Sequence, residues 1–164
     1  PLYSSAASDV YKRQSLYCDP SGVLWVGTEK GLNKFDSENE KFIQFHHRPH
    51  DPSSLSDDCI RSITQTMSGE LWVGTDGGLN RLDLANSRCI HYTNNPNDPN
   101  SLSNDEVYCI FQDRSNVLWV GTNVGLNKYD QEKKQFELYQ RIPREENSIR
   151  DNYVRALYLS LIHI

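Results

Sequence analysis

The chain of 164 residues lacks any apolar run of about 18–20 residues, the length needed to cross a bilayer as a helix. It lacks an excess of positive charge as well: 17 Lys and Arg stand against 22 Asp and Glu, for a net charge of −5. That balance excludes the basic stripe with which proteins grip nucleic acid. No Cys-x-x-Cys occurs among Cys18, Cys59, Cys89 and Cys109, so zinc-type spacing is missing. The four cysteines read as free, buried thiols acting as small hydrophobes, with their disulfide state left open. Gly74-Thr75-Asp76-Gly77-Gly78 is rich in glycine but lacks the Gly-Lys-Ser/Thr ending of a phosphate loop, and reads as a hairpin. No Ser-His-Asp set and no nucleophile elbow is present, so no catalytic residue and no cofactor is expected.

What the chain has is repetition. The phrase Leu-Trp-Val-Gly-Thr-x-x-Gly-Leu-Asn occurs three times, with Trp25, Trp72 and Trp119 at an interval of 47 residues. A period of roughly 40–50 residues made of short strands and turns is the pattern of β-propeller blades, each of which buries its apolar faces by stacking on the next. The expected class is therefore all-β: a β-propeller fragment of about three four-stranded blades in an incomplete ring.

Both ends read differently. Asp9 to Gln14 can be encoded as GAT GTG TAT AAG AGA CAG, and the reverse complement of that string translates as Leu159 to Ile164. One DNA segment read from opposite strands accounts for both tails, so residues 1–14 and 159–164 are expected to be a sequencing-adapter scar. Between them the blades fall at 15–46, with a truncated first strand, 58–92 and 105–140. Residues 152–158 are expected to be the first strand of a further blade.

In the third period Val107–Phe111, Val117–Thr122, Gly125–Tyr129 and Gln135–Tyr139 are four strand-like runs. The first turn opens on an acceptor (Asp19, Thr66, Asp113) and closes on Gly22, Gly69 or Asn116, where a positive φ is expected. Gly27, Gly74 and Gly121 interrupt the second strand, where glycine ordinarily weakens a strand; they suggest close approach of neighbouring backbones. The tryptophans are expected to fill the gap between adjacent sheets. The connectors stay in register too, through Pro49, Pro96 and Pro143 and through Leu55, Leu102 and Ile149, so they are expected to be ordered, with the apolar residue as an anchor.

His46-His47-Arg48-Pro49-His50-Asp51 is the one metal-like cluster, but its register partner is Thr93-Asn94-Asn95-Pro96-Asn97-Asp98, and the proline breaks the spacing that aims two rings at one ion. It reads as a polar loop, and no metal site is assigned.

The repeat, preceded by Asp-x-x-Gly/Asn and followed by Asn/Ser-Ser-Leu-Ser, resembles the two-component regulator propeller repeat. It departs mildly, with Thr66 for the turn aspartate, Asn116 for the turn glycine and Ile149-Arg150 for Leu-Ser. In that family such repeats build the periplasmic sensor of hybrid histidine kinases, followed by a β-sandwich, a membrane helix, kinase, receiver and DNA-binding parts. The resemblance implies a periplasmic ligand-sensing propeller, commonly for glycan-derived oligosaccharides, whose parent forms a homodimer and supplies the remaining blades. No phosphoacceptor or ATP-site residue lies in this chain, which is expected to be no enzyme, and no nucleic-acid or membrane contact is expected of the segment.

The hairpin between the second and third strands and the connector between blades are expected on one face, and both vary between copies. The candidate ligand-binding residues are therefore Glu29, Lys30, Asp76 and Asn123 at the hairpin tips and Arg48 and Asn95 in the connectors. Two other readings stay open: a protein-interaction scaffold, which fits the repeats equally, and a propeller glycosidase or lyase, suggested by the loose similarity of the Asp-x-x-Gly turn to the sialidase Asp-box.

Overall fold

The computed structural model describes residues 15–86 and 88–158; the two tails read as adapter-derived lie outside them. Twelve strands follow one another: β1 (Ser15–Cys18), β2 (Leu24–Thr28), β3 (Gly31–Asp36), β4 (Lys41–Phe45), β5 (Ile60–Gln65), β6 (Leu71–Thr75), β7 (Gly78–Asp83), β8 (Arg88–Tyr92), β9 (Val107–Gln112), β10 (Leu118–Thr122), β11 (Leu126–Asp130) and β12 (Gln135–Tyr139). They form three antiparallel sheets in sequential order, β1–β4, β5–β8 and β9–β12, with no helix among the described residues. This is an open β-propeller fragment of three blades. The first strand of each blade adjoins that of the next, β5 packing on both β1 and β9, which puts the first strands on the inside of the arc.

The turns obey their residues. Gly22 (φ 87°), Gly69 (φ 88°) and Asn116 (φ 63°) occupy the left-handed region that closes the first turn. Asp19 Oδ1 opens its turn by accepting Ser21 N and Val23 N, and Asp113 Oδ1 does the same for Ser115 N and Val117 N. The second carboxylate oxygen reaches the blade tryptophan: Trp25 Nε1 donates to Asp19 Oδ2 at 3.3 Å and Trp119 Nε1 to Asp113 Oδ2 at 2.8 Å. Thr66 cannot extend so far, and Trp72 Nε1 is buried without a hydrogen-bond partner among the described residues.

Tight contact between blades depends on the second-strand glycine. A Cβ on Gly27 would lie 2.5 Å from Ile60 Cγ2, and one on Gly74 2.5 Å from Val107 Cγ1. What closes on the glycine is thus mainly the first-strand side chain of the following blade rather than, as expected, its backbone. Beside this contact the tryptophans pack against aromatic and aliphatic neighbours. Trp72 meets Tyr92 of its own blade at 5.4 Å and Tyr129 of the next at 5.3 Å, in a cluster with Phe136 and Leu102. Trp25 is buried with Phe45, Leu82 and Cys89 around it. Burying such side chains contributes about 1.5–3 kcal/mol each.

The connectors are ordered by an asparagine that sequence reasoning had not singled out. Asn80, fully buried, accepts from Ser56 N and donates to Ser56 Oγ and Val73 O; Asn127 repeats this with Ser103 and Val120. Leu55 and Leu102 are buried beside them, so each connector is tied to the blade it leads into. Its backbone also covers the blade's outer edge, where Cys89 N donates to Ser53 O and Phe136 N to Asn100 O.

Three further expectations differ from what is found. Trp119 is only half-buried and Leu16 is 67% exposed, where its counterparts Ile63 and Ile110 are 7% and 8% exposed, because among the described residues no blade stacks on either end of the arc. Residues 152–158 form no strand: Val154 takes the place of Ile60 and Val107 against Gly121, and its N donates to Thr122 O, but among the described residues no second strand lies beside it to complete a ladder. Cys18 is exposed and Cys59, Cys89 and Cys109 are half-buried, none of them fully enclosed; all four are free.

Two substitutions test this architecture. Thr66→Asp supplies the acceptor missing from Trp72 and should raise stability by about 1 kcal/mol, the net worth of one hydrogen bond, measured by chemical denaturation. Gly74→Ala drives a methyl into Val107 and should cost about 1–3 kcal/mol, with a smaller loss at Gly69→Ala only to the extent that its positive φ is strained.

Candidate functional site

Polar and aromatic side chains gather where the first strands begin, beside the hairpins that join second and third strands. Gly31 N donates to Asp58 O and Asp76 N to Cys59 O, so hairpin and strand entry adjoin. On the second blade Arg61 grips Asp76 with two hydrogen bonds, Nε to Oδ1 at 2.6 Å and Nη2 to Oδ2 at 2.7 Å. The Arg61 guanidinium also lies 5.8 Å over the Tyr108 ring of the third blade. Tyr108 donates to Glu106 Oε2 at 2.7 Å, Asn123 Nδ2 donates to the same oxygen at 3.1 Å, and Tyr153 donates to Tyr108 Oη at 3.0 Å. Arg155 stacks on Tyr153 at 4.3 Å. The cluster therefore runs without a break from Asp76 to Arg155.

Register explains its composition. Arg61, Tyr108 and Arg155 occupy one position of the 47-residue repeat, and Glu29, Asp76 and Asn123 another. The second and third strands beside them repeat closely, whereas these positions change from blade to blade, as do most positions of the first strands Ile60–Gln65 and Val107–Gln112. Variation between copies extends along the whole first strand, so it does not single out Arg61, Tyr108 and Glu106; only their contacts across the sheets do.

The charges are held in definite states. Burial alone would raise the Asp76 carboxyl, but the hydrogen bonds and charge of Arg61 outweigh it and hold the carboxyl below its ordinary value. The hydrogen bond to Asp76 raises the Arg61 guanidinium in turn. Burial first, then the bonds to Glu106 and Tyr153, push the Tyr108 hydroxyl up. Cys59 beside them is pushed up to about 11, chiefly by burial and then by Asp76, and remains a thiol near neutral pH. The cluster thus presents a fixed cation with guanidinium donors beyond the two given to Asp76, a carboxylate and ring faces, a constellation suited to holding a polar ligand by hydrogen bonds and stacking.

The sequence-derived candidates divide. Asp76 and Asn123 lie within the cluster. Glu29 and Lys30 are exposed at the corresponding tip of the first blade, where Lys30 N donates to Thr28 Oγ1. Arg48 and Asn95 are elsewhere: Arg48 lies 3.6 Å from Asp51 beside a cavity between the first two blades, and Asn95 caps its own loop through Asn97 N. Of the histidines, His47 Nδ1 is hydrogen-bonded to Leu55 O at 2.7 Å and His46 Nδ1 lies 3.8 Å from Asp58 Oδ1. No group of three His, Cys, Asp or Glu able to hold a metal occurs among the described residues.

The pattern of the two component regulator propeller family matches residues 6–30, 54–77 and 101–124, once in each period. Among solved structures, the extracellular domain of a hybrid two-component system of B. thetaiotaomicron is 28% identical, with a TM-score of 0.70; the match covers 77% of this chain and 18% of that one. PorZ, a surface component of the type-IX secretion system of Porphyromonas gingivalis, is 20% identical over 90% of this chain and 23% of its own, with a TM-score of 0.64. Virginiamycin B lyase of Staphylococcus aureus is 16% identical over 79% and 41%, with a TM-score of 0.54. The last two share the fold alone. The chain spans about a fifth of the length of the two-component neighbour. No curated protein sequence matches it significantly, and among the described residues no helix is long and apolar enough to cross a membrane.

The Arg61–Asp76 pair makes acid stability predictable. Since the Asp76 carboxyl sits below its ordinary value near 3.8, the pair stabilises the fold above that pH and the contribution disappears as pH falls through the lowered value. Asp76→Asn should therefore melt lower than the parent at neutral pH, with the gap narrowing below pH 3.8; thermal melts across that range measure it.

Proposed function

The three repeats of this chain belong to the two-component regulator propeller family, and on that premise we propose that it is a fragment of the extracytoplasmic, ligand-sensing propeller of a two-component signalling protein, with an oligosaccharide as ligand. The observation that carries the reading is the cluster Asp76, Arg61, Tyr108, Glu106 and Asn123: variable polar and aromatic residues gathered at one end of an otherwise repeated frame. Sugars offer hydroxyls for charged and amide groups and a flat apolar face for a ring, and this cluster presents both. A sensor needs no bond cleavage, and the thiol and phenol held protonated here fit binding better than catalysis. The location follows from the same reading: a sensing propeller of a hybrid kinase sits in the periplasm, with the kinase parts beyond this segment.

The experiment is a binding measurement on the complete parent protein with a panel of oligosaccharides from complex glycans. Arg61→Ala and Tyr108→Ala should each weaken the bound glycan by at least about tenfold, as expected when a charge-assisted or stacking contact is lost, and Asp76→Ala and Asn123→Ala should act in the same direction. Glycan affinity unchanged in all four variants would sink the assignment of this face. Turnover of the glycan would favour an enzyme instead.

A further inference from the structure

The two interfaces between blades are built on the same register but are filled differently. Between the second and third blades Tyr92, Tyr129 and Phe136 close around Trp72, with ring centroids 5.0–5.8 Å apart and a hydrogen bond of 2.9 Å between the two tyrosine hydroxyls. Between the first and second blades the same three positions are Phe45, Leu82 and Cys89. Two aromatic rings are thus replaced by an isobutyl group and a thiol. A cavity of about 190 Å³ lies at that place, lined by Phe45, Leu55, Leu82 and Cys89 and, towards solvent, by Arg48 and Arg88. Cavities of about 150 Å³ with apolar walls admit a benzene-sized ring.

The polar groups at this cavity are unevenly committed. Asp51 Oδ1 accepts from Ser53 N and Oγ, and Asp83 is consumed by Ala85 N, Asn86 N and Asn86 Nδ2. Arg88 makes no hydrogen bond or ion pair among the described residues, and the nearest partner of Arg48 is Asp51 at 3.6 Å, beyond hydrogen-bond range. The Arg88 guanidinium fork, shaped for a carboxylate, thus has no partner among the described residues, and that of Arg48 is held only by a loose ion pair to Asp51 Oδ2 beside the apolar slot.

We infer that the cavity between the first and second blades binds a single six-membered ring carrying one carboxylate, its ring face against Phe45 and Leu82 and its carboxylate towards Arg48 and Arg88. A hexuronic acid residue and a simple aromatic acid share this chemistry. The inference rests on the sensing reading only in supposing that the propeller binds ligands, and it concerns a site separate from the Arg61–Tyr108 cluster.

The test is calorimetric titration of this chain with glucuronic acid, benzoate and glucose, with site-resolved alkylation of Cys89 as a second readout. At least one acid should bind and slow alkylation of Cys89, and glucose should bind at least about tenfold more weakly. Glucuronate binding identifies a sugar acid, benzoate binding an aromatic one. Cys89→Phe copies the filled interface and should abolish binding; Arg88→Gln, at an exposed position that leaves the packing intact, should weaken it at least about tenfold. Arg61→Ala should leave it unchanged, so failure at one site is read separately from failure at the other. Equal binding of acid and glucose, no binding of either acid, or acid binding that Arg88→Gln leaves unaltered would overturn the proposal.

Discussion

The contact on which the rest depends is the seating of a first-strand side chain against the second-strand glycine of the preceding blade. Ile60 on Gly27 and Val107 on Gly74 bring each following sheet to the distance at which a tryptophan can fill the remaining gap, and Val154 lies on Gly121 in the same way without a strand of its own. A four-stranded sheet this small cannot bury enough apolar surface alone, so each blade owes its stability to its neighbours. The ends of the arc show what this costs: Leu16 lies open and Trp119 is only half-buried, although the equivalent positions inside the arc are buried.

A second set of contacts, polar this time, turns the stack into a fixed frame. Asn80 and Asn127 satisfy buried backbone groups of the connector and of their own sheet at once, and Ser56 and Ser103 add a hydroxyl contact to Thr75 and Thr122. With the connectors pinned by a buried leucine and these amides, the hairpin tips and strand entries have settled positions. Residues placed there can differ from blade to blade without disturbing the frame, which is what a recognition surface requires.

Identical phrases do not make identical interfaces. The second blade alone has threonine in place of the turn aspartate, and its tryptophan alone lacks a hydrogen-bond acceptor among the described residues. That tryptophan sits in the most aromatic interface, with Tyr92, Tyr129 and Phe136 around it and the Arg81 guanidinium 6.0 Å over its ring. The preceding interface has smaller side chains and a cavity. Close packing leaves no slack to average such differences out, so each substitution is felt where it stands.

The sequence by itself determined the blade. The 47-residue period, the turn residues and the alternation of apolar runs fix four strands and their turns, because turn chemistry and strand pattern act over a few residues and need no distant partner. It likewise marked Asp76 and Asn123, since variation within a repeat is visible in one dimension. Only the tertiary structure decided what those residues meet. Arg61 finds Asp76 across one sheet and Tyr108 across an interface, His47 is spent on Leu55, and Arg48 stands at a gap between blades rather than among the hairpin tips. Those pairings depend on how one sheet lies on the next, a distance set by a glycine and the side chain that fills it, and no pattern along the chain records it.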